Sequence, residues 1–261
     1  MAEYGEHDHV RIERRDQIVR VTLVNPEARN AQTPATWRRL ASIPSLLQPE
    51  DRAVVLMGEG PSFSAGLDRR MLTPDGVPGE ESLLTLAGYA EPEMDRFIQQ
   101  AQAAFAWWRR VPQLTVALVQ GHAIGAGFQL ALACDVMVVA EDVKLAMRET
   151  SLGLVPDLTG TAPLVAAVGY SRALEICARG RFVEADEAVR LGIALDKVPQ
   201  ADWDDYLIEF MAPILAAMPS AVAELKHLLD GADTSSDQLA RERAAQMRRL
   251  AELSRLLGGE A

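Results

Sequence analysis

Two apolar runs, Ala53–Met57 and Leu114–Val119 (with Thr115 its one polar residue), each give way to a segment of small residues and glycines. A run with no polar face has nothing to offer water on either side. It therefore fits a strand covered on both faces, inside a sheet packed between helices. After the first run comes Phe63-Ser64-Ala65-Gly66-Leu67-Asp68, and after the second Gly121-His122-Ala123-Ile124-Gly125-Ala126-Gly127. Glycine and alanine let a ligand approach the main chain closely. The second segment also opens a helix through Leu130 to Ala133, whose first N–H groups and dipole favour negative charge. Two such N–H groups aimed at one oxygen would form an oxyanion hole, worth roughly 10²–10³ in rate per donor. The glycines alone also suit tight strand–helix packing. Their order, GxxxGxG, is not the GxGxxG of a dinucleotide loop.

The rest of the chain surrounds these two runs with further elements. Val10, Ile12, Val19, Val21 and Leu23 alternate as in a hairpin over 9–14 and 17–24, which Asn25-Pro26 terminates. Thr33-Pro34 is a cap followed by a first-turn proline, and a helix through Trp37, Leu40, Ile43 and Leu46 is expected from there. Residues 59–90 are rich in glycine and proline and read as a long irregular stretch, a form that is usually functional or mobile. A helix is expected over 92–110, short strands over 136–140 and 144–146, and helices alone from Thr161 onward: 161–168, 171–179, 184–191, 202–217, 219–230 and 236–257. This order predicts an α/β core over 1–195 and a helical C-terminal region over 196–261. No fixed-period repeat is visible.

Composition removes several classes of function. The 261 residues carry a net charge of −11, and a nucleic-acid binder would show a basic stripe. The arginines within 11–15 and 241–249 are interleaved with acidic or apolar residues and read as solvated faces. No apolar run approaches the ~20 residues of a membrane span, and the polar, acidic Met1–Asp8 does not resemble a secretory leader. A cytoplasmic protein without membrane or nucleic-acid partners is expected. The cysteines, Cys134 and Cys177, lie apart in apolar surroundings and read as small core hydrophobes, not a metal or redox pair. His7-x-His9 sits in a polar leader that reads as a mobile terminus. No metal, flavin or nicotinamide site is visible.

Taken jointly, the motifs are far more specific than the glycines. Val21-Thr22-Leu23-Val24-Asn25-Pro26-Glu27-Ala28-Arg29-Asn30-Ala31, then Phe63–Asp68, then Gly121–Asp135, then Glu149-Thr150-Ser151-Leu152-Gly153-Leu154-Val155-Pro156, and finally Asp186-Glu187-Ala188 with Leu191-Gly192 occur in order. In these the chain resembles the crotonase superfamily of enoyl-CoA hydratases and isomerases, over nearly its whole length. The resemblance implies a spiral of ββα units with C-terminal helices that assemble a homotrimer or a dimer of trimers. It implies an acyl-CoA thioester as ligand, with coenzyme A as part of the substrate and no separate cofactor. It places the oxyanion donors at the backbone N–H groups of Leu67 and Ala126. Substrate contacts fall at Ala65, Gly66, Asp68, Arg69 and Gly125, and Glu149 is the catalytic carboxylate beside the substrate α-carbon.

Individual side chains then divide the possible reactions. A general base is worth roughly 10²–10⁴ in rate, and Glu149 holds that role by resemblance; otherwise it is an acid near a helix start. Gln129 stands where hydratases of the family carry a second glutamate. An amide cannot donate and regain a proton, although it can hold a water. Moving a double bond needs only one carboxylate, so isomerisation is favoured over hydration of the β-oxidation type. Asp157 lies near where some members of the family carry an aspartate that acts on the substrate, which implies a second proton shuttle or a nucleophile; otherwise it is a turn or N-cap residue. Arg29, Arg69 and Arg70 suit CoA phosphates or are solvated charges. Asp68 reads as structural or a CoA contact, His122 as a packed residue, and Trp107 and Trp108 as core or subunit interface. Ser64 with His122 could belong to a hydrolase, but no GxSxG elbow accompanies them. A third reading is an acyl-CoA-binding protein without catalysis.

Overall fold

The structure, a computed structural model, describes residues 2–7, 9–230, 232 and 237–258. The chain runs β1 (Ala2–His7), β2 (Val10–Arg15), β3 (Ile18–Leu23), α1 (Pro34–Ser42), β4 (Ala53–Gly58), α2 (Leu83–Leu86), α3 (Glu91–Ala106), β5 (Leu114–Val119), β6 (His122–Ile124), α4 (Ala126–Ala133), β7 (Val136–Val139) and β8 (Lys144–Ala146). It continues with α5 (Thr161–Arg179), β9 (Val183–Glu184), α6 (Ala185–Arg190), β10 (Asp196–Lys197), α7 (Trp203–Ala216), α8 (Pro219–Leu229) and α9 (Gln238–Gly258).

The apolar runs pair in parallel, as their composition requires. The main sheet has the order β1-β2-β3-β4-β5-β7-β10, with β3, β4, β5 and β7 in one parallel ladder that aligns Val21, Leu56, Ala117 and Met137. Alternate residues serve two cores. Val54, Leu56, Ala117 and Val119 pack with Trp37, Phe105, Trp108 and Phe128 on the helical side. Ala53, Val55, Val116 and Leu118 pack on Trp203, Leu207 and Met211 of α7. Each large side chain so covered contributes about 1.5–3 kcal/mol, which is why these two strands are apolar on both faces except at Thr115, whose buried hydroxyl is satisfied by the Trp108 carbonyl and Asp135.

A structural repeat emerges that the sequence did not display. Each parallel strand leaves the main sheet, makes a short extended step, and returns through a helix. The steps pair with one another: Gln32 with Leu67, Ser64 with Ala123, and β6 with β8. These are the ββα turns of a spiral. Their main-sheet strands begin at residues 18, 53, 114 and 136, spacings too unequal to register as a period.

Other expectations need correction. The leader is not a loose end: Ala2–His7 pairs antiparallel with β2. Within 59–90 lie a 3₁₀ turn, Arg69–Leu72, and the short helix α2. The helix expected to reach 110 ends at Ala106, where Trp107 and Trp108 stack with ring centroids 4.0 Å apart. The C-terminal part includes β9 and β10 as well as helices, and Gly169, at φ 74°, breaks α5 between the two helices expected there. Arg14 is not solvated; it grips Asp51 through Nε (2.7 Å) and Nη2 (2.8 Å). Cys134 is buried but Cys177 is only half-buried. Among the described residues, no three His, Cys, Asp or Glu side chains gather to hold a metal, and no single helix is long and apolar enough to cross a membrane.

The C-terminal helices are tied to the core by charge. Lys226 of α8 reaches Asp135 at 2.6 Å and the carbonyls of Trp108 (3.1 Å) and Gln113 (2.7 Å). Arg52 donates to the carbonyls of Ile214, Leu215 and Ala217, closing the C-terminus of α7.

Candidate active site

The two glycine-rich segments lie side by side because their backbones form a ladder. Phe63 N–H donates to the Gln120 carbonyl (2.9 Å), Ser64 N–H to His122 (2.9 Å), and Ile124 N–H back to Ser64 (3.0 Å). The other edge of the first segment is held by residues 29–32: Ala65 N–H donates to Arg29, Gln32 N–H to Gly66 and Asp68 N–H to Gln32. Glycines are forced where these backbones touch. A Cβ at Gly66, which sits at φ +83°, would stand 2.2 Å from the Ile124 carbonyl oxygen and 3.3 Å from the Ala126 nitrogen. A Cβ at Gly127 would stand 2.4 Å from the Ser64 carbonyl oxygen.

Beside this ladder is a cavity of about 1280 Å³. Leu67 and Ala126 both line it, and among the described residues neither of their N–H groups donates to another group of the fold. Arg29, Ala65, Asp68, Arg69, Gly125, Gln129, Glu149 and Asp157 line it too. Gly66 does not: it is the spacer between the two backbones, and its expected substrate contact is replaced by that role.

Glu149 opens a 3₁₀ turn directly after β8 and packs against Gly125. Its Oε1 accepts a 2.7 Å hydrogen bond from Gln129 Nε2, while its Oε2 is buried without a partner. Burial pushes this carboxyl above the usual glutamate range; hydrogen bonds from backbone N–H groups and from Gln129 oppose the rise, and the charge of Asp157 adds to it. Burial likewise raises Asp157. Asp157 is no cap: α5 starts at Thr161, and Gly160 precedes it without a side-chain bond. A buried carboxyl with an unpaired oxygen, in a cavity with two unpaired N–H donors, combines a proton acceptor with a site for developing negative charge.

The remaining side chains separate into supports and walls. Asp68 caps the 3₁₀ turn through Arg70 N–H (2.9 Å) and pairs with the Arg70 guanidinium (2.7 Å), which holds its carboxyl low. The Ser64 hydroxyl donates to the Asn30 carbonyl (2.7 Å) and accepts from Gln32 (3.0 Å), so it is engaged as a strut and not as a nucleophile. His122 packs edge-on against Phe182. Sequence reasoning missed two contributions. Buried Asn30 donates to the carbonyls of Glu59 and Ser62 and accepts from Asn25 N–H, pinning the first segment. Leu83 and Leu86, in the irregular stretch 71–90 whose sequence suits a pocket wall, line the cavity; Met94, Phe97 and Ile98 of α3 complete that wall and were hidden because no local pattern aims them at a site.

Known proteins are similar to the chain over most of its length. The chain is 35% identical over 213 residues to EchA17 of Mycobacterium tuberculosis, described as a "Probable enoyl-CoA hydratase", covering 81% of this chain and 76% of that one. It is 31% identical over 218 residues to a Bacillus subtilis protein of the same description, covering 82% and 79%. A Thermobifida fusca YX crystal structure in complex with acetoacetyl-CoA superposes with a TM-score of 0.87 at 40% identity, covering 94% of this chain and 96% of that one. The model of the enoyl-CoA hydratase/isomerase family matches residues 13–255, and with that span, this ladder and this cavity, the chain belongs to the enoyl-CoA hydratase/isomerase family.

Proposed function

We propose that the protein moves a carbon–carbon double bond in an enoyl-CoA thioester, using Glu149 as its single acid/base. The thioester oxygen accepts from the N–H groups of Leu67 and Ala126. Glu149 Oε2 removes the α-proton of a 3-enoyl ester, and the dienolate charge rests on the thioester oxygen between the two donors. The protonated Oε2 returns its proton to the γ-carbon, leaving the double bond between the α- and β-carbons. The observation that carries this reading is the buried, unpartnered Oε2 of Glu149. A developing oxyanion in such a hole gains roughly 2.7–4 kcal/mol per donor. Arg29 and Arg69, at the same cavity, would meet the CoA phosphates. Complexes of the Thermobifida fusca neighbours with acetoacetyl-CoA and with CoA support an acyl-CoA ligand.

Hydration is the second reading. Asp157 favours it, as a further carboxylate on the same cavity, and so do the hydratase names of the relatives. Incubation with 3-enoyl- and 2-enoyl-CoA in deuterated water separates the two. Conversion of the 3-enoyl ester with deuterium incorporation and no 3-hydroxyacyl product supports isomerisation. Accumulation of the 3-hydroxyacyl ester overturns it, and ligand binding without exchange points to a binding protein. A homotrimer or dimer of trimers goes with this reading; exposed apolar residues such as Tyr170, Leu229 and Leu250 support it, and light scattering tests it.

A further inference from the structure

Gln129 lies on α4 with 1% of its surface exposed, and its amide is tied at both ends. Its Oε1 accepts from Leu158 N–H (2.8 Å) and Gly160 N–H (3.3 Å), while its Nε2 donates to Glu149 Oε1 (2.7 Å). A flipped amide would face two N–H donors with a third and a carboxylate with a carbonyl. That leaves buried polar groups unpaired at about 1–3 kcal/mol each, so one orientation is imposed. The side chain also has no room to swing away, because a Cβ on Gly160 would already stand 2.6 Å from its Cγ.

We propose that Gln129 is a positioning residue: its locked amide holds Glu149 Oε1 as a permanent acceptor, leaves Oε2 as the only oxygen that exchanges protons, and keeps the resting site free of a stored proton. This rests on the reading of Glu149 as the base. Two carboxylates 2.7 Å apart cannot both ionise, so a glutamate at 129 would hold one proton between the pair. The neutral amide holds none and donates to the ionised form. Of the elements packed around Glu149, α4 offers only this neutral group, the 157–160 segment brings Asp157, α5 brings Cys177, and its own segment brings Arg148. Gln129 is thus the side chain that, with backbone N–H groups, offsets burial and Asp157. Through its Oε1 it also anchors the segment that carries Asp157.

The test follows the Glu149 carboxyl itself. In protein labelled with ¹³C-glutamate, its resonance is assigned by its loss in E149Q and followed against pH in the wild type, Q129E and Q129M. In Q129E the new carboxylate still accepts from Leu158 and Gly160, so the fold is kept. Two coupled titration steps are expected, one displaced upward by about a unit or more. In Q129M a single step is expected, also displaced upward, because the donor is gone. Titrations that superimpose on the wild type in Q129E would overturn the proposal, whether or not Q129M folds. Should the titrations shift as expected while E149Q still exchanges the substrate α-proton, the positioning role stands and the assignment of Glu149 as base falls.

Discussion

Adding one methyl group at Gly66 tests the proposed oxyanion site without touching a side chain assigned to the chemistry. In Gly66→Ala the new Cβ would lie 2.2 Å from the Ile124 carbonyl oxygen, when an unstrained contact needs roughly 3.5 Å. The two segments must part by about 1 Å, and the residue must also hold a φ of +83°, a strain of order 1–3 kcal/mol. Leu67 and Ala126 are carried on opposite sides of that gap, so their N–H groups separate. A 1 Å misplacement costs on the order of 10²-fold, and loss of one donor about 10²–10³-fold. We expect turnover of an enoyl-CoA ester to fall 10²–10³-fold on the basis of these losses. At ~2–4 °C per kcal/mol, the melting temperature should fall by some 2–12 °C. Deuterium incorporation at the α-carbon and a thermal melt are the two readouts. Turnover within threefold of the wild type in a folded Gly66→Ala protein would refute the claim that this backbone spacing aligns the donors.

Four further outcomes are expected. Glu149→Gln should abolish exchange and turnover while sparing CoA-ester binding by calorimetry; retained turnover would remove Glu149 from the mechanism. The same variant should melt at a higher temperature near neutral pH: a carboxyl raised by burial loses folded-state stability as pH climbs from the ordinary glutamate range through its folded value, and the neutral amide does not. Wild-type turnover should rise with pH through that folded value, since the ionised base is the active form, and a profile falling over that range would contradict the role. Lys226→Met leaves Asp135 as a buried charge without its cation, a loss of about 3–5 kcal/mol; denaturant titration should show it, and the double change with Asp135→Asn should recover most of it.

What the sequence disclosed and what it hid have separate physical causes. The parallel strands were legible because burial on both faces leaves no polar positions in Val54–Leu56 or Val116–Leu118. The helix at Pro34 was legible because Thr33 and Thr36 form a local capping box. Glu149, Leu67 and Ala126 were found through motifs, and the structure gathers them at one cavity. The spiral was hidden because its turns differ in length, so its regularity lies in hydrogen bonds between distant residues such as Ser64 and His122. The bond from Gln129 to Glu149 joins positions 20 apart and depends on the backbone of Leu158 and Gly160. Identity alone marked Gln129 as a departure; its locked orientation needs the tertiary fold.

The ladder that joins residues 63–68 to 121–127 has a consequence for how such a protein can change over time. Both proposed oxyanion donors are main-chain groups, so replacing Leu67 or Ala126 would reshape a wall without deleting a donor; only proline removes the N–H. On the proposed reading, the groups that decide where protons go are the side chains of Gln129, Glu149 and Asp157, which project from α4, the turn after β8 and the segment before α5. Inheritance is therefore divided. The proposed charge-stabilising frame tolerates change in the side chains of Leu67 and Ala126, though not at the glycines that space it, Gly66 and Gly127, while the reaction performed in it can be rewritten at three positions that leave the frame standing.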